Sequence, residues 1–349
     1  MNWRNEMRTG VNNRNNEADV MKSVEEATDR AVNAQVEKNL FLGEYKERII
    51  KALTFEEIKE KGIYYEIEKA LENKDAAKMV ISRHVDFNNI KSRFDYGVNT
   101  GGFDISIMGR LFVGELLPAD VDKVLYLDCD TVVLHSVREL YCTSLKNNII
   151  AAVEEPTAPE RVRYEIRLDA AASYVNSGVL LINLKAWREQ NIGERIIRYC
   201  QSIQNVSLFG DQDGINGALR WNIKKLHPKY NFFSNYKYFS YRTFIKIYRA
   251  KLSYSKKDFK EAKKRPVILH FAGEERPWRR GNFNPYKRAY DHFKSKTDFK
   301  DIPMETGKEI YLFIYHIMNI LTVIAPWSRK MISDFYINRA YKELLEQID

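Results

Sequence analysis

Asp128 and Asp130 flank Cys129 where the apolar run KVLYL gives way to DCDTVVL. Two carboxylates at i and i+2 on the carboxyl end of an apolar strand cost burial energy unless a cation offsets them. Oxygen ligands of this kind suit Mg²⁺ or Mn²⁺, which take their remaining ligands from phosphate groups in phosphate chemistry. Taken alone, the tripeptide is equally an ordinary strand-end turn. Other groups stand at similar junctions. His270 ends the run PVILH, Asp211-Gln212-Asp213 opens a segment of helical spacing, and Asn176-Ser177-Gly178 precedes VLLINL. Each has a bland reading, respectively a satisfied interior histidine, a helix cap and a turn before a strand.

The elements that position these residues follow from periodicity. Residues 78–87, 123–134, 149–155 and 177–184 read as strands, the last two as continuous apolar runs of a sheet covered on both faces. Segments of helical spacing separate them, and 105–118 reads as a helix stopped by Pro118. The alternation predicts an α/β fold with a mostly parallel central sheet. Three regions are expected: a polar helical stretch over 1–77 with no strand, a catalytic domain over 78–300, and a helical tail over 301–349. Within the tail, 310–327 is apolar but interrupted by His316, Asn319 and Pro326, which is marginal for a bilayer span and suits an amphipathic helix.

Composition narrows the classes. With 349 residues, 44% hydrophobic and 30% charged, the chain is neither disordered nor fibrous and has enough length for a sizeable core. Cys129, Cys142 and Cys200 form no paired motif, so no disulfide framework or zinc site is encoded, and a reducing compartment is expected. The first thirty residues hold no apolar core of a secretory signal, which places the chain in the cytoplasm. The net charge is +9, but residues 221–300 carry 22 Lys and Arg against 6 Asp and Glu, leaving −7 for the rest. A basic surface of this density attracts phosphate, whether of a nucleotide, a membrane or a nucleic acid.

Order decides among these. VLYLDCDTVV, YVNSGVLLINLKAWR, GDQDGIN and LHFAGEERPW follow one another as the motifs of glycosyltransferase family 8 do, and the chain resembles that family from about residue 78 to 290. The resemblance implies a GT-A-type fold and a retaining transferase that moves a hexose, galactose or glucose, from a UDP-sugar. By the same resemblance, Asp128, Asp130 and His270 hold Mn²⁺, with Mg²⁺ as the alternative. Arg110, Asp128, Asn176, Ser177, Gly178, Gly273 and Arg276 meet the donor, Arg276 standing where the family usually has lysine. Asp211 and Gln212 stand at the reacting centre. An amide is a poor nucleophile, so the set favours front-face attack, with the leaving diphosphate helping to deprotonate the acceptor hydroxyl. The family opens with a strand carrying an acid and a tyrosine that hold the uracil and ribose. Residues 1–77 show no such strand, so no base-contacting residue is assigned.

The acceptor falls to what the motifs leave over. Tyr and Phe concentrated among basic residues over 227–249 offer flat faces for sugar stacking. The apolar tail beside a Lys/Arg surface suits an anionic membrane. A cell-envelope glycan, glycolipid or glycoprotein acceptor, reached by an enzyme peripheral on the inner face of the plasma membrane, is the expectation. Nucleic acid is not expected as a partner, because it would not require DCD, DQD and HFAGEERPW together. The competing readings are a catalytically impaired family member acting as a binding or scaffold subunit, and a glycogenin-like protein that glucosylates itself.

Overall fold

The computed structural model describes residues 92–94, 100, 104–203, 206–248, 254–274, 276–297 and 299–346. The helices expected over 1–77 and the strand expected over 78–87 lie outside the described residues. The chain divides into two compact units, 1–86 with 295–301, and 87–294 with 302–349; the second contains every element described here.

Two small sheets carry the fold. In the first, β4 (Val175–Asn183) is central, with β1 (Lys123–Leu127) and β3 (Ile150–Glu154) on its flanks and β5 (Ile223–Lys225) outside β3. β4 is buried from Val175 to Ile182, as a continuous apolar run predicts. The second sheet places β7 (Ile268–His270) between β2 (Thr131–Val133) and β6 (Phe232–Phe233).

The α/β class is as read from the sequence, while the described pairings are mixed. Only β3·β5 and β6·β7 run parallel; β1·β4, β3·β4 and β2·β7 are antiparallel. Alternating strand and helix signals fix the class but not the direction in which each strand returns. β3 reaches β4 through α3 (Glu160–Glu165) and a short loop, and β4 folds back against it.

The segment 105–118 is a 3-10 helix, Ile105–Phe112, widening into one α-turn, α1 (Val113–Leu116). The Asp104 side chain accepts from Ser106 N at its start, and the chain is extended again by Leu117, just ahead of Pro118. After α2 (Arg138–Tyr141) and β4 come α4 (Leu184–Glu189) and α5 (Ile192–Ser202). They are followed by α6 (Asp211–Leu219), buried along its entire length although it reads DQDGINGAL. Its two interior glycines explain the fit: a Cβ on Gly214 would fall 2.6 Å from Cys200 Sγ, and one on Gly217 would overlap the Tyr199 ring.

The aromatic region 227–249 forms a core. Phe232, Phe233, Tyr236, Phe239 and Phe244 are buried, and Tyr236 meets Phe244 edge-on with centroids 4.6 Å apart. With Phe259 of α8 (Lys256–Lys264) and Phe271 they fill the space beside the second sheet. The expectation that this region offers open stacking faces is therefore corrected for these residues. In a chain with Tyr and Phe at this density, covering the smaller sheet removes more apolar area from water than display at the surface would. The basic residues lie outside this core, as on α8, where only Phe259 and Ala262 are buried. α7 (Tyr241–Tyr248) and α9 (Lys287–Lys294) complete this side. A hairpin of α10 (Glu309–Ile324) and α11 (Pro326–Leu345) ends the described chain.

Candidate functional site

Where β1 ends, Asp128 N donates to Gly178 O at 2.8 Å, and Thr131 closes a turn by donating from N and Oγ1 to Asp128 O. That turn carries the chain out of the first sheet and into β2 of the second. In β2·β7 the register sets Thr131 opposite His270, and Phe271 N donates to Asp130 O at 2.9 Å. The consequence is geometric: one ligand atom from each of Asp128, Asp130 and His270 lies within 4.8 Å of the other two. His270 Nε2 is 3.0 Å from Asp130 Oδ1, and its Nδ1 is 2.9 Å from Asn231 Oδ1, a contact that fixes the ring. Burial works against ionisation of Asp130, but the His270 hydrogen bond and charge, with Arg276, bring it below its ordinary range.

The residues fit a divalent cation by a test independent of composition. Gly178 faces this cluster, and a Cβ there would fall 2.3 Å from His270 Cε1 and 2.9 Å from Asp128 Oδ2. A side chain at this position would push apart the groups that gather. Two carboxylates and one imidazole form a donor set suited to Mn²⁺, with Mg²⁺ preferring oxygen alone.

Arg110 ties the cluster to α6. Its Nη1 donates to Ser177 O at 2.7 Å, its Nη2 is 3.0 Å from Asp128 Oδ1, and its guanidinium lies 4.6 Å from the Tyr126 ring centre. Tyr126 in turn donates its hydroxyl to Asp128 Oδ1 at 2.7 Å. Burial alone would lower the Arg110 pKa; Asp211, Tyr126 and Asp128 reverse this and hold it above its usual value. Arg110 Nε lies 3.0 Å from Asp211 Oδ2 while its hydrogen is spent on Ile107 O, so that carboxylate oxygen, fully buried, accepts no hydrogen bond. Burial, only partly offset by Arg110, pushes the Asp211 pKa up to about 6.

Beside it, the amides interlock. Gln212 Oε1 accepts from Asn176 Nδ2 at 2.8 Å and from Ser177 N at 3.0 Å, while Gln212 Nε2 donates to Glu155 Oε2 and Tyr174 OH, each at 3.0 Å. Asn176 Oδ1 accepts from Gly178 N and Asn231 Nδ2, which links the amides to the histidine. Tyr174 donates to Asp213 Oδ1 at 2.6 Å, and Asp213 Oδ2 accepts from Ser207 Oγ and from Leu208 N and Phe209 N. Buried polar groups satisfied in this way hold one arrangement of the site.

Of the residues singled out from the sequence, Arg110, Asp128, Asp130, Asn176, Ser177, Gly178, Asp211, Gln212 and His270 thus form one connected set. Asn176-Ser177-Gly178 belong to β4 itself and not to a turn ahead of it. Arg276 contributes charge toward Asp130, with its Nε buried and without a hydrogen-bond partner among the described residues. Gly273 has φ +72°, a left-handed conformation that favours glycine, and beyond its chain neighbours no described residue lies within 4 Å of where a Cβ would sit. Sequence reasoning missed Glu155, Asn231, Tyr126 and Tyr174. Glu155 carried a usable signal, an acid just past the apolar strand IIAAVE, the same pattern that drew attention to Asp128.

Comparison with known proteins identifies the family. The sequence model of Glycosyl transferase family 8 matches residues 20–281, starting well ahead of the first recognisable motif. General stress protein A of Bacillus subtilis is 27% identical over 214 residues, 60% of this chain and 71% of that protein. A lipopolysaccharide 1,2-glucosyltransferase of Escherichia coli K12 is 28% identical over 211 residues, 58% of each chain. Across the curated relatives it matches, the span runs from about a fifth to about seven tenths of their length. Among solved structures, the galactosyltransferase LgtC in complex with donor and acceptor sugar analogs superposes with a TM-score of 0.53 at 23% identity. The superposition covers 63% of this chain and 76% of that one, a likeness of fold. With three quarters of its length matched and its motif residues drawn into one site, the chain belongs to glycosyltransferase family 8.

Proposed function

We propose that the protein is a retaining hexosyltransferase that moves galactose or glucose from a UDP-sugar to a cell-envelope glycan, glycolipid or glycoprotein, in a metal-dependent reaction on the cytoplasmic side of the membrane. The observation that carries this reading is the gathering of Asp128, Asp130 and His270 around a glycine that admits no side chain. The names of the relatives support a hexosyl donor and an envelope acceptor.

Asp128, Asp130 and His270 would hold the cation, preferentially Mn²⁺. When bound, a divalent cation supplies positive charge to a diphosphate as it departs. Arg276 adds a second positive charge on the same side, felt by Asp130 and suited to a diphosphate. Arg110 holds Asp128 and Asp211 at fixed positions and neutralises part of their charge. Asp211, held by Arg110, sets a buried carboxyl group beside the cluster. Gln212 is oriented by Glu155, Tyr174, Asn176 and Ser177, and its amide is suited to steadying developing positive charge on the sugar by its carbonyl dipole, not to covalent attack. Attack of the acceptor hydroxyl on the face the diphosphate leaves follows, with the proton passing to the departing diphosphate.

The test is UDP release from a panel of UDP-sugars with Mn²⁺, for wild type and Asp130→Ala. Turnover of one donor, reduced about 10³-fold in the variant while its melting temperature holds, supports the proposal. Silence with every donor, together with no heat of UDP binding, overturns it in favour of a non-catalytic family member.

A further inference from the structure

The α10–α11 hairpin is built inside out. The stripe of α10 that faces the protein is Leu312, Tyr315, Asn319 and Thr322, two of them polar and buried. Asn319 Oδ1 and Tyr315 OH both accept from Arg329 of α11, whose guanidinium also lies 5.4 Å from the Phe239 and Tyr315 ring centres. The outward side is apolar. Ile310, Phe313, Ile320 and Ile324 of α10 and Trp327 and Phe335 of α11 are each more than 60% exposed. No Asp, Glu, Lys or Arg occurs between Glu309 and Arg329. An ordinary surface helix shows the reverse pattern, and a continuous exposed apolar face of this kind marks an interaction site.

Three observations say what covers it. α10 has 16 residues, about 24 Å at 1.5 Å per residue, short of the ~30 Å hydrocarbon core, and no described helix is long and apolar enough to cross a membrane. The face mixes Trp and Phe with Ile, the composition of segments that lie at a bilayer interface. It also adjoins a stretch of chain rich in Lys and Arg: Phe283, 71% exposed, packs against His316 of α10 with ring centres 5.2 Å apart and donates its N–H to His316 Nε2 at 3.2 Å. Exposed Arg280 and Arg288 stand on either side of Phe283 in the chain. The same segment reaches the site, since Asn282 Nδ2 donates to the carbonyl of Glu274, the neighbour of Gly273.

We propose that the outward face of the α10–α11 hairpin, with Phe283, Arg280 and Arg288, lies in the plane of an anionic lipid surface, so that the loop carrying Gly273 and Arg276 works close to that surface. This deepens the envelope-acceptor reading and rests on it for the purpose of the contact. An acceptor anchored in lipid would then meet the enzyme without leaving the membrane.

The experiment uses the full chain with vesicles of phosphatidylcholine, alone or mixed with phosphatidylglycerol, read by flotation. Wild type is expected to float with the mixed vesicles, and replacing Arg280 and Arg288 by Gln is expected to weaken this about fivefold per cation. The double variant Phe313→Glu/Ile320→Glu is expected to lose at least about tenfold in binding. Brominated lipid is expected to quench wild-type emission more than that of Trp327→Phe, a measurement that needs no disruptive variant. Absence of flotation and of quenching overturns the proposal. So does a wild-type dimer that Phe313→Glu renders monomeric in sedimentation velocity with no vesicle binding, which assigns the face to a second copy. UDP release on the same samples scores the transferase reading separately: vesicle binding without any UDP release leaves the lipid contact standing and removes the enzyme.

Discussion

The junction of the two sheets and the C-terminal hairpin break the same rule in opposite senses. At the junction, Arg110, Asp211, Gln212, Asn176 and His270 are polar and buried; on the hairpin, Phe313, Ile320 and Ile324 are apolar and exposed. The first departure is supported from behind, because nearly every amide and carboxylate there meets a protein partner. The second has no partner on its outer side among the described residues. Burial of polar groups with partners shows a site fixed in advance of its ligand, and exposure of apolar groups without partners shows a surface completed by something else.

Four substitutions sharpen or break that contrast. The largest effect belongs to Gly178→Ala, whose methyl must displace His270 or Asp128: transfer should fall at least ~100-fold, with weaker Mn²⁺ binding by calorimetry and destabilisation of about 1–3 kcal/mol. If metal affinity is unchanged, the cluster is not the cation site.

Next is the pH dependence of Asp211. Its pKa rises on folding from the ordinary carboxylate range to about 6, so the native state holds the proton more tightly than the unfolded chain does. Stability from this residue is full below about pH 4 and is lost as pH rises through about 6, a change on the order of 2–3 kcal/mol. Asp211→Asn removes this slope, so the melting temperature of wild type relative to the variant should decline between pH 4 and 6.5 in metal-free buffer. Parallel profiles would mean that Arg110 keeps the carboxylate ionised throughout.

A smaller effect is expected for Glu155→Gln. The replacement retains the shape but supplies an amide nitrogen where one oxygen accepts from Asn176 and Gln212, so kcat should drop about tenfold with little change in the KM of the donor. An unchanged kcat would show that the amides hold their orientation without it. The smallest effect is predicted for Phe313→Ser on the hairpin: unfolding free energy within about 0.5 kcal/mol of wild type, although a large aromatic side chain is removed. A loss of several kcal/mol would mean the ring is packed in solution and the face is not open.

Much of the site was legible in the sequence because its chemistry sits at strand ends, where an apolar run stops on an acid or a histidine. Asp128 and Asp130 were found by that signal, and the order of motifs supplied His270, Arg110, Asp211 and Gln212. Asn231 was not found: its value comes from hydrogen bonds to His270 and Asn176, residues far from it in the chain that nothing in local spacing connects to it. The direction of strand pairing was also hidden, because an apolar run looks alike from either end, and β4 takes antiparallel partners on both sides. The aromatic stretch misled for a related reason. Composition shows that Phe232, Tyr236 and Phe244 are aromatic, but only packing shows that they cover the smaller sheet rather than face a sugar.

The turn from Asp128 to Thr131, which leaves one sheet and enters the other, has a consequence for how the molecule assembles. The site draws on residues 110, 128–130, 176–178, 211–212 and 270, so almost every contact in it closes a long stretch of chain. Local helices such as α5 and α11 form without it, whereas the β2·β7 ladder pairs residues that β3, β4 and β5 of the first sheet separate in the chain. Such long-range pairing comes late in folding. Recovery of catalysis after dilution from denaturant therefore reports the final closure of the chain, and trails the recovery of helical content.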